Sequence, residues 1–338
     1  MFNKISIVGF GAFGFAMCHH ISNRLSANAN HSSRIFVYDA DEELLSYLER
    51  KRKHKYLLRK HTLGSNVKIC HSEEELLDDT ELIILCIPVQ KMREFIRGIS
   101  VKVPKSAYIM NCSKGIEHPT GKLVPDMISK DLGHNLSGRY AFLSGGMIAS
   151  EFVEGKGTFC ADIVSSNRTL RKRLRGLLES DTLAISERSD VRYSETLSAL
   201  KNVIAIGAGI LEGIGLSYSV RSTFIAAALE ELESFAAQNA DTKVNRSAPT
   251  TAFFGDYIMS TTGETRNRRL GNLIGKGKDP THALEYMSSK GLTTEGYWTI
   301  AAIAKMLAQD KSKYPILWKI FEILHKGRSP ADIRNFLG

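Results

Sequence analysis

The sequence predicts an α/β protein, with a doubly wound, largely parallel sheet in an N-terminal domain and an all-helical C-terminal domain. In the first half, short apolar runs rich in β-branched residues alternate with segments of helical periodicity. The predicted strands are Lys4–Val8, Arg34–Tyr38, Val67–Ile69, Leu82–Ile87, Ala107–Asn111, Tyr140–Leu143 and Phe159–Val164. The predicted helices between them are Gly14–Ser22, Glu42–Arg50, Glu73–Leu77, Gln90–Gly98, Gly121–Lys130 and Thr169–Leu178.

From about Asp190 the strand signals fade and long segments with a period of 3.6 residues take over. At 338 residues the chain is long enough to bury two full-sized cores. We therefore expect one domain over residues 1–188 and a helical domain over residues 189–338. The predicted helices of the second domain are Arg192–Ile210, Ser219–Gln238, Ala248–Met259, Pro280–Met287, Thr294–Leu307 and Tyr314–His325.

A glycine loop follows the first predicted strand. Gly9, Gly11 and Gly14 have the G-x-G-x-x-G spacing, which allows a tight turn, close approach of a pyrophosphate and packing of the next helix. Phosphate charge would lie on the N–H groups of the helix that opens near Ala12. Asp39 ends the second strand, where a carboxylate can accept a hydrogen bond from a ribose hydroxyl. A purely structural turn is the alternative, but the position between strand and helix favours a Rossmann-type dinucleotide site.

Further turns stand at the carboxyl ends of later strands, where open α/β sheets bind ligands. Pro88 ends the fourth predicted strand, and Lys114 follows the next strand on a glycine-kinked turn. Lys114 could reach a phosphate or a substrate oxygen, or it could be a solvated turn lysine. After the sixth strand, Gly145 would let the backbone approach a ligand closely.

In the helical half, Lys201 interrupts an otherwise small and apolar helix. Burial of an ammonium group is costly unless it is paired, and it lowers the lysine pKa towards the range useful for general acid–base chemistry. A structural lysine that reaches the surface is the alternative.

Other polar residues of the helical half could act with this lysine. Asp256 could orient Lys201 or a substrate hydroxyl, while Arg266 and Asn267 could bind a phosphate. Glu295 opens a helix, where it could be only a cap favoured by the helix dipole.

Composition narrows the class of partner. The net charge is +9, but the basic residues are dispersed and no aromatic-interleaved nucleic-acid motif is present. We therefore expect no nucleic-acid partner, and a surface that favours anionic ligands. The five cysteines have no metal-ligand spacing, which predicts no metal site and a cytoplasmic, reducing location. The apolar stretch Ile5–Cys18 is too short to span a bilayer.

In their order along the chain, these motifs resemble those of the NAD(P)-dependent sn-glycerol-3-phosphate dehydrogenases. The resemblance covers nearly the whole chain. The matching segments are the glycine loop, Pro88 with Gln90, Ser113–Glu117, Lys201-Asn202 with Gly207–Gly209, Gly255-Asp256, Arg266–Arg268 and Glu295-Gly296.

The resemblance implies an oxidoreductase that reduces dihydroxyacetone phosphate to sn-glycerol 3-phosphate with NAD(P)H, reversibly, and supplies glycerophospholipid synthesis. It implies that Lys201 exchanges a proton with the substrate oxygen. We expect NAD, with NADP as the alternative cofactor, a small phosphorylated substrate, no membrane span, and a chain that is compatible with a homodimer. The expected substrate-binding residues are Lys114, Gly145, Lys201, Asp256, Thr265, Arg266 and Asn267. The expected cofactor-binding residues are Gly9, Gly11, Ala12, Phe13, Gly14, Asp39, Pro88, Lys114, Ala149, Arg266, Thr293 and Glu295.

The chain departs from the family pattern in three places. The usual S-G-P-S-F-A is here Ser144–Ala149, so that the thioether of Met147 replaces a hydroxyl on the substrate side. Phe13 stands at the position where the family has a tryptophan in the glycine loop. The usual N-x-K-A-A…R-G helix becomes the segment Ser219–Ala228, which keeps a basic residue at Arg221.

Two alternatives to this function remain open. One is a related NAD-dependent 2-hydroxy or 2-keto reductase whose substrate pocket is reshaped around Met147. The other is a catalytically inactive NAD-binding protein. The retained Lys201, Asp256 and Arg266 argue against the inactive protein, because binding alone does not need a desolvated lysine.

Overall fold

The computed structural model describes residues 2–27, 33–133, 135–240 and 250–337. The first two residues of one predicted helix, Ala248 and Pro249, lie outside these ranges. The chain divides into two compact units, which we call the sheet unit and the helical unit. The sheet unit comprises Met1–Ile87, Lys91–Ser113 and Pro125–Val191, and the helical unit comprises Pro88–Gln90, Lys114–Val124 and Arg192–Gly338.

The sheet unit alternates strands and helices. In chain order the elements are β1 (Lys4–Val8), α1 (Ala12–Ala27), β2 (Arg34–Tyr38), α2 (Glu42–Lys51), β3 (Val67–Ile69), α3 (Glu73–Leu77), β4 (Leu82–Leu85), α4 (Val89–Ile99), β5 (Tyr108–Asn111), α5 (Val124–Leu132), β6 (Tyr140–Ser144), α6 (Ala149–Glu154), β7 (Phe159–Val164), α7 (Arg168–Leu178) and β8 (Leu183–Arg188).

The eight described strands form one sheet in the order β3-β2-β1-β4-β5-β6-β7-β8. Strands β1 to β6 are parallel, β7 is antiparallel to β6, and β8 is parallel to β7. In register, Ile7 of β1 lies between Val37 of β2 and Ile84 of β4, and all three are fully buried. Burial of this kind is typical of parallel strands covered on both faces. The strand order reverses between β1 and β4, which makes their carboxyl ends the topological switch point of the sheet.

The doubly wound α/β class is confirmed. Four of the seven predicted strands have the predicted bounds, and the other three differ at one end by one or two residues. Two elements of the sheet unit were not predicted. Strand β8 lies at the edge of the sheet and alternates buried and exposed residues over only its first four positions, and α6 is a helix of 6 residues. Both carry too little periodic signal to be recognised from sequence.

The helical unit contains α8 (Val191–Gly213), α9 (Tyr218–Gln238), α10 (Thr251–Thr262), α11 (Arg266–Gly275), α12 (Pro280–Ser289), α13 (Glu295–Ala302), α14 (Ala304–Gln309), α15 (Pro315–His325) and a 3-10 helix over Pro330–Asn335. Helix α8 is buried on nearly all sides, so it forms the centre of this core. The prediction of one continuous helix over Thr294–Leu307 is wrong, because the chain breaks at Ile303 into α13 and α14.

Helices α8 and α11 pack backbone against backbone. A Cβ atom on Gly209 would lie 2.0 Å from the carbonyl oxygen of Arg268, and one on Gly271 would lie 1.9 Å from that of Ile206. Gly213 and Gly275 continue the contact one turn further on. Small residues four apart allow such close approach, but glycine lowers helix propensity, which is why α11 was not predicted.

In the part of the chain that the structure describes, no helix is both long enough and apolar enough to cross a membrane. All five cysteines lie in this part and none forms a disulfide. Burial raises the pKa of Cys18 well above its usual range and that of Cys70 to about 12, so both are unreactive thiols at neutral pH.

Candidate functional site

The glycine loop of the sheet unit is shaped by two close approaches. Gly9 has a φ of +85°, and a Cβ there would lie 2.8 Å from the backbone carbon and oxygen of Cys86. A Cβ on Gly14 would lie 2.0 Å from the carbonyl oxygen of Gly9. Gly11 differs, since no atom of the described residues beyond its chain neighbours lies within 4 Å of a Cβ placed on it. The backbone at Gly11 is therefore open to a ligand, as a pyrophosphate site requires.

Helix α1 begins at Ala12, directly after the loop. Its first turn has no acidic residue, so no side-chain carboxylate there offsets the positive end of the helix dipole. Ala12 and Phe13 are half-buried, and Phe13 packs against the core of the sheet unit. This end of α1 is suited to receive phosphate charge.

Asp39 lies beside the loop, at the carboxyl end of β2. Its Oδ2 accepts a hydrogen bond from the N–H of Phe10 at 2.5 Å, and its Oδ1 accepts one from the N–H of Asp41 at 2.9 Å. The carboxylate is thus held in a fixed orientation next to the open backbone of Gly11.

One of the three departures from the family pattern, Ser144–Ala149, lies at the end of β6, at the same carboxyl edge of the sheet. Gly145 has a φ of +144°, and a Cβ there would lie 2.6 Å from the carbonyl oxygen of Cys160. Helix α6 begins at Ala149, and Met147 and Ala149 both pack, half-buried, against the core of the sheet unit. The Met147 side chain therefore stabilises the core of the sheet unit in addition to lying at the carboxyl edge of the sheet.

In the helical unit, Lys201 of α8 and Asp256 of α10 form a buried ion pair. The ammonium group of Lys201 also donates to Ser260 Oγ at 2.7 Å. Lys114 Nζ lies 2.7 Å from Asp256 Oδ2, the second carboxylate oxygen. Two ammonium groups thus share one carboxylate, which leaves a net positive centre.

The pKa values of this centre follow from burial and charge. Burial lowers the pKa of Lys201 to about 8, with Asp256 opposing the shift and Lys114 and Arg266 adding to it. Burial opposes ionisation of Asp256, but Lys114 and Lys201 outweigh it and hold its pKa below the usual value. The carboxylate is therefore ionised near neutral pH, and Lys201 loses its proton in mildly alkaline solution.

The start of α11 is tied to the start of α13. Thr265 caps α11 and donates to the carbonyl oxygen of Ser260 at 2.9 Å. Arg266 Nη1 donates to Thr293 Oγ1 at 2.9 Å, and Asn267 Oδ1 accepts from the N–H of Gly296 at 3.2 Å. These bonds join the predicted substrate residues Arg266 and Asn267 to Thr293, a predicted cofactor residue, and to the first turn of α13.

Glu295 is the first residue of α13 and is set beside the start of α4. Gln90 Nε2 is 3.5 Å from Glu295 Oε2 and donates to the carbonyl oxygen of Ile116 at 2.9 Å. Pro88 immediately precedes α4. Burial raises the pKa of Glu295 to about 7, against the opposing effects of Gln90, the Val89 N–H and Arg266.

Each unit thus brings together its own predicted residues. The glycine loop and Asp39 are adjacent in the sheet unit, and Lys114, Lys201 and Asp256 are in contact in the helical unit. Ser260, which accepts from the Lys201 ammonium group, was not among the predicted site residues. Its only signal is a spacing of four residues from Asp256, which places both on one face of α10.

An open, largely parallel sheet with a glycine loop at its switch point, in one chain with a helical unit that buries a lysine–aspartate pair, is the arrangement of a nicotinamide-dependent dehydrogenase. The N-terminal family model of the NAD-dependent glycerol-3-phosphate dehydrogenases matches residues 4–170, and the C-terminal model matches residues 190–335. The chain belongs to the NAD-dependent glycerol-3-phosphate dehydrogenase family.

Individual relatives agree with this assignment. The chain is 28% identical over 340 residues to a protein of Nitratidesulfovibrio vulgaris named glycerol-3-phosphate dehydrogenase, NAD(P)+, covering 98% of this chain and 96% of the relative. It is 28% identical to the glycosomal glycerol-3-phosphate dehydrogenase, NAD(+), of Leishmania mexicana, covering 98% and 88% of the two chains. The crystal structure of glycerol-3-phosphate dehydrogenase from Coxiella burnetii has the same fold, with a TM-score of 0.83, 19% identity and coverage of 99% and 98%.

Proposed function

We propose that the protein catalyses the reversible reduction of dihydroxyacetone phosphate to sn-glycerol 3-phosphate with a nicotinamide cofactor, and so supplies glycerophospholipid synthesis. Family membership supports this reaction. The observation that carries it is the buried Lys201–Asp256 pair with Lys114 on the second carboxylate oxygen. A buried lysine whose pKa is about 8 can both give and take a proton near neutral pH.

The substrate is a phosphorylated anion, and the helical unit offers it cations. Lys114 and Arg266 both act electrostatically on Lys201, while Asp256 neutralises only one positive charge. An excess of positive charge in a desolvated site favours a dianionic phosphate ester. We propose that Lys114, Gly145, Lys201, Asp256, Thr265, Arg266 and Asn267 hold the substrate.

The residues of the sheet unit fit a dinucleotide, because a Cβ at Gly9 or Gly14 would collide with backbone while Gly11 stays open. The nicotinamide cofactor supplies hydride for ketone reduction and accepts it in the reverse direction. We propose that the loop and the start of α1 hold its pyrophosphate. The remaining residues proposed to border the cofactor are Phe13, Asp39, Pro88, Lys114, Ala149, Arg266, Thr293 and Glu295.

Proton transfer falls to Lys201. In the reducing direction its ammonium group gives a proton to the oxygen at C2, and in the oxidising direction the free amine takes it back. Asp256 and Ser260 fix the direction of the Lys201 side chain through its Nζ. Asp256 also keeps a counter-charge beside the ammonium, which prevents burial from lowering the pKa further.

Two finer proposals concern the cofactor and the compartment. We propose that NAD(H) is preferred to NADP(H), because the Asp39 carboxylate can accept from a ribose hydroxyl but repels a 2′-phosphate. We also propose a cytoplasmic location, which suits cysteines that are buried or half-buried and form no disulfide in the described structure.

The decisive experiment is NADH oxidation by the purified protein with a panel of phosphorylated and plain ketones. Dihydroxyacetone phosphate is expected to give the highest kcat/KM, and dihydroxyacetone, which lacks the phosphate, a value lower by several orders of magnitude. The Lys201→Ala variant serves as the inactive control. Faster turnover of an unphosphorylated 2-keto acid than of dihydroxyacetone phosphate would contradict the proposal.

A further inference from the structure

A buried histidine touches the glycine loop from outside the motif. His54 lies in the connection between α2 and β3 and is 2% exposed. Its Nε2 is 2.9 Å from the carbonyl oxygen of Phe10. Its Nδ1 is 3.2 Å and 3.1 Å from the backbone nitrogens of Tyr56 and Leu57. A carbonyl can only accept and an N–H can only donate, so these bonds require a neutral ring with its proton on Nε2.

The peptide groups of Phe10 are therefore held from both sides. The Phe10 N–H donates to Asp39, and the Phe10 carbonyl accepts from His54. The Phe10 ring is fully buried and packs edge-on against Phe15, which in turn packs edge-on against the His54 ring. These three restraints on Phe10 come from the side chains of Asp39, His54 and Phe15, all of which lie outside Gly9–Gly14.

Such restraint of a glycine loop lowers the conformational entropy that is lost when a ligand binds. Glycine on both sides of Phe10 gives the free loop a large choice of backbone conformations, and fixing each residue costs about 1–2 kcal/mol. A loop that is fixed before binding does not pay this cost when the ligand arrives. Only the fraction of molecules with the binding conformation contributes to the apparent affinity.

We propose that His54 is a positioning residue, which holds the Phe10 carbonyl and so keeps the glycine loop in the conformation that receives the cofactor pyrophosphate. The inference rests on the proposed function, in which this loop binds the cofactor. His54 acts on cofactor affinity and not on proton transfer, because its bonds are to the loop and to its own segment. Loss of the bond to Phe10 should therefore weaken cofactor binding and leave kcat at saturating cofactor nearly unchanged.

Two substitutions separate the bonds that His54 makes. In His54→Asn, the amide oxygen lies near the position of Nδ1 and can still accept from Tyr56 and Leu57, but the side chain is too short to reach Phe10. In His54→Gln, the longer amide can place an N–H near the position of Nε2 and donate to Phe10, while the acceptor for the turn is lost. The exposed His71, which pairs with Glu49, provides a matched control as His71→Asn.

The test is titration of each variant with NADH, followed by fluorescence, together with kcat and KM for NADH. We expect His54→Asn to raise the NADH Kd about 3- to 10-fold, and the Kd values of His54→Gln and His71→Asn to stay within about twofold of the wild type.

Wild-type affinity in a folded His54→Asn variant, or equal loss of affinity in both His54 variants, would overturn the inference. If His54→Asn does not fold, a tenfold loss of affinity in His54→Gln overturns it and retained affinity supports it. A wild-type protein that binds neither NADH nor NADPH would overturn the proposed function itself.

Discussion

Lys201 and Asp256 are separated by 55 positions in the chain and form an ion pair in which both side chains are almost fully buried. The pair joins α8 to α10, and Ser260 receives a second bond from the same ammonium. Lys114 holds the other carboxylate oxygen. Removal of Asp256 would leave Lys201 without its buried counter-charge, which typically costs about 3–5 kcal/mol, whereas removal of Lys201 leaves Asp256 paired with Lys114.

The first prediction concerns Lys201. General acid–base groups contribute about 10²–10⁴-fold to rate, so Lys201→Ala should lower kcat by about that factor. Lys201→Arg should also fail, since guanidinium does not release its proton near neutral pH. NADH affinity should stay nearly unchanged, because the glycine loop belongs to the sheet unit. A folded Lys201→Ala protein with more than half the wild-type kcat would instead make Lys114 the candidate.

The second prediction is a pH dependence. Ketone reduction needs protonated Lys201, whose pKa burial lowers to about 8, so kcat for reduction should fall as the pH rises through about 8. Alcohol oxidation needs the free amine, so its kcat should rise over the same interval. Asp256→Asn removes the opposing carboxylate and should move both midpoints to lower pH. Profiles of kcat that are flat from pH 7 to 9 in both directions would refute the assignment.

The third prediction concerns the choice of cofactor. The kcat/KM for NADH should exceed that for NADPH, because Asp39 repels a 2′-phosphate. Asp39→Asn removes the charge and can keep the bond to the Phe10 N–H through its amide oxygen, so it should reduce the preference without disordering the loop. Initial rates with both cofactors give the ratio for each protein. Equal kcat/KM values in the wild type would disprove the preference.

The fourth prediction concerns Met147. If backbone N–H groups near Gly145 replace the missing hydroxyl, Met147→Ser should leave kcat/KM for dihydroxyacetone phosphate equal or higher. Because the Met147 side chain is half-buried against the sheet core, the variant should also lose about 1–2 kcal/mol of unfolding free energy. Steady-state rates and urea denaturation measure the two effects. A large fall in turnover, with the protein folded, would mean that the thioether itself contacts the substrate.

The fifth prediction concerns the contact between α8 and α11. Gly271→Ala places a methyl group 1.9 Å from the carbonyl oxygen of Ile206, so the helices must separate, at a cost of at least about 2 kcal/mol. Gly255→Ala in α10 is the control. Apart from the neighbouring backbone of α10, no described atom lies within 4 Å of a Cβ on Gly255, so the better helix propensity of alanine should raise the unfolding free energy by about 0.5–1 kcal/mol. Urea denaturation of both variants gives the difference. Equal stability would show that the helices separate without cost.

The sequence predicted the sheet because β1 and β4 are continuous apolar runs beside a glycine loop, a local signal that needs no tertiary information. Helix α11 escaped prediction because Gly271 and Gly275 have poor helix propensity. Their place in the structure depends on the partner helix, which sequence periodicity does not reveal.

Single site residues were easier to predict than their partners. Lys201 was predicted from its apolar neighbours, whereas the contact of Asp256 with Lys114 joins positions 142 apart and depends on tertiary structure. His54 gave no signal at all. A histidine in a basic loop is expected to be exposed, and only the tertiary structure brings the His54 ring to the Phe10 carbonyl.

The contact between α8 and α11 also limits how this protein can be redesigned. Where two helices touch through glycine, the distance between their axes is set by the van der Waals radii of backbone atoms. Replacement of such a glycine by any other residue can only increase this distance. Lys201 and Arg266 are carried on those two helices, and so their separation is fixed by the main chain. A variant designed to accept a longer or bulkier substrate must therefore keep the distance between α8 and α11 and change residues at the ends of these helices.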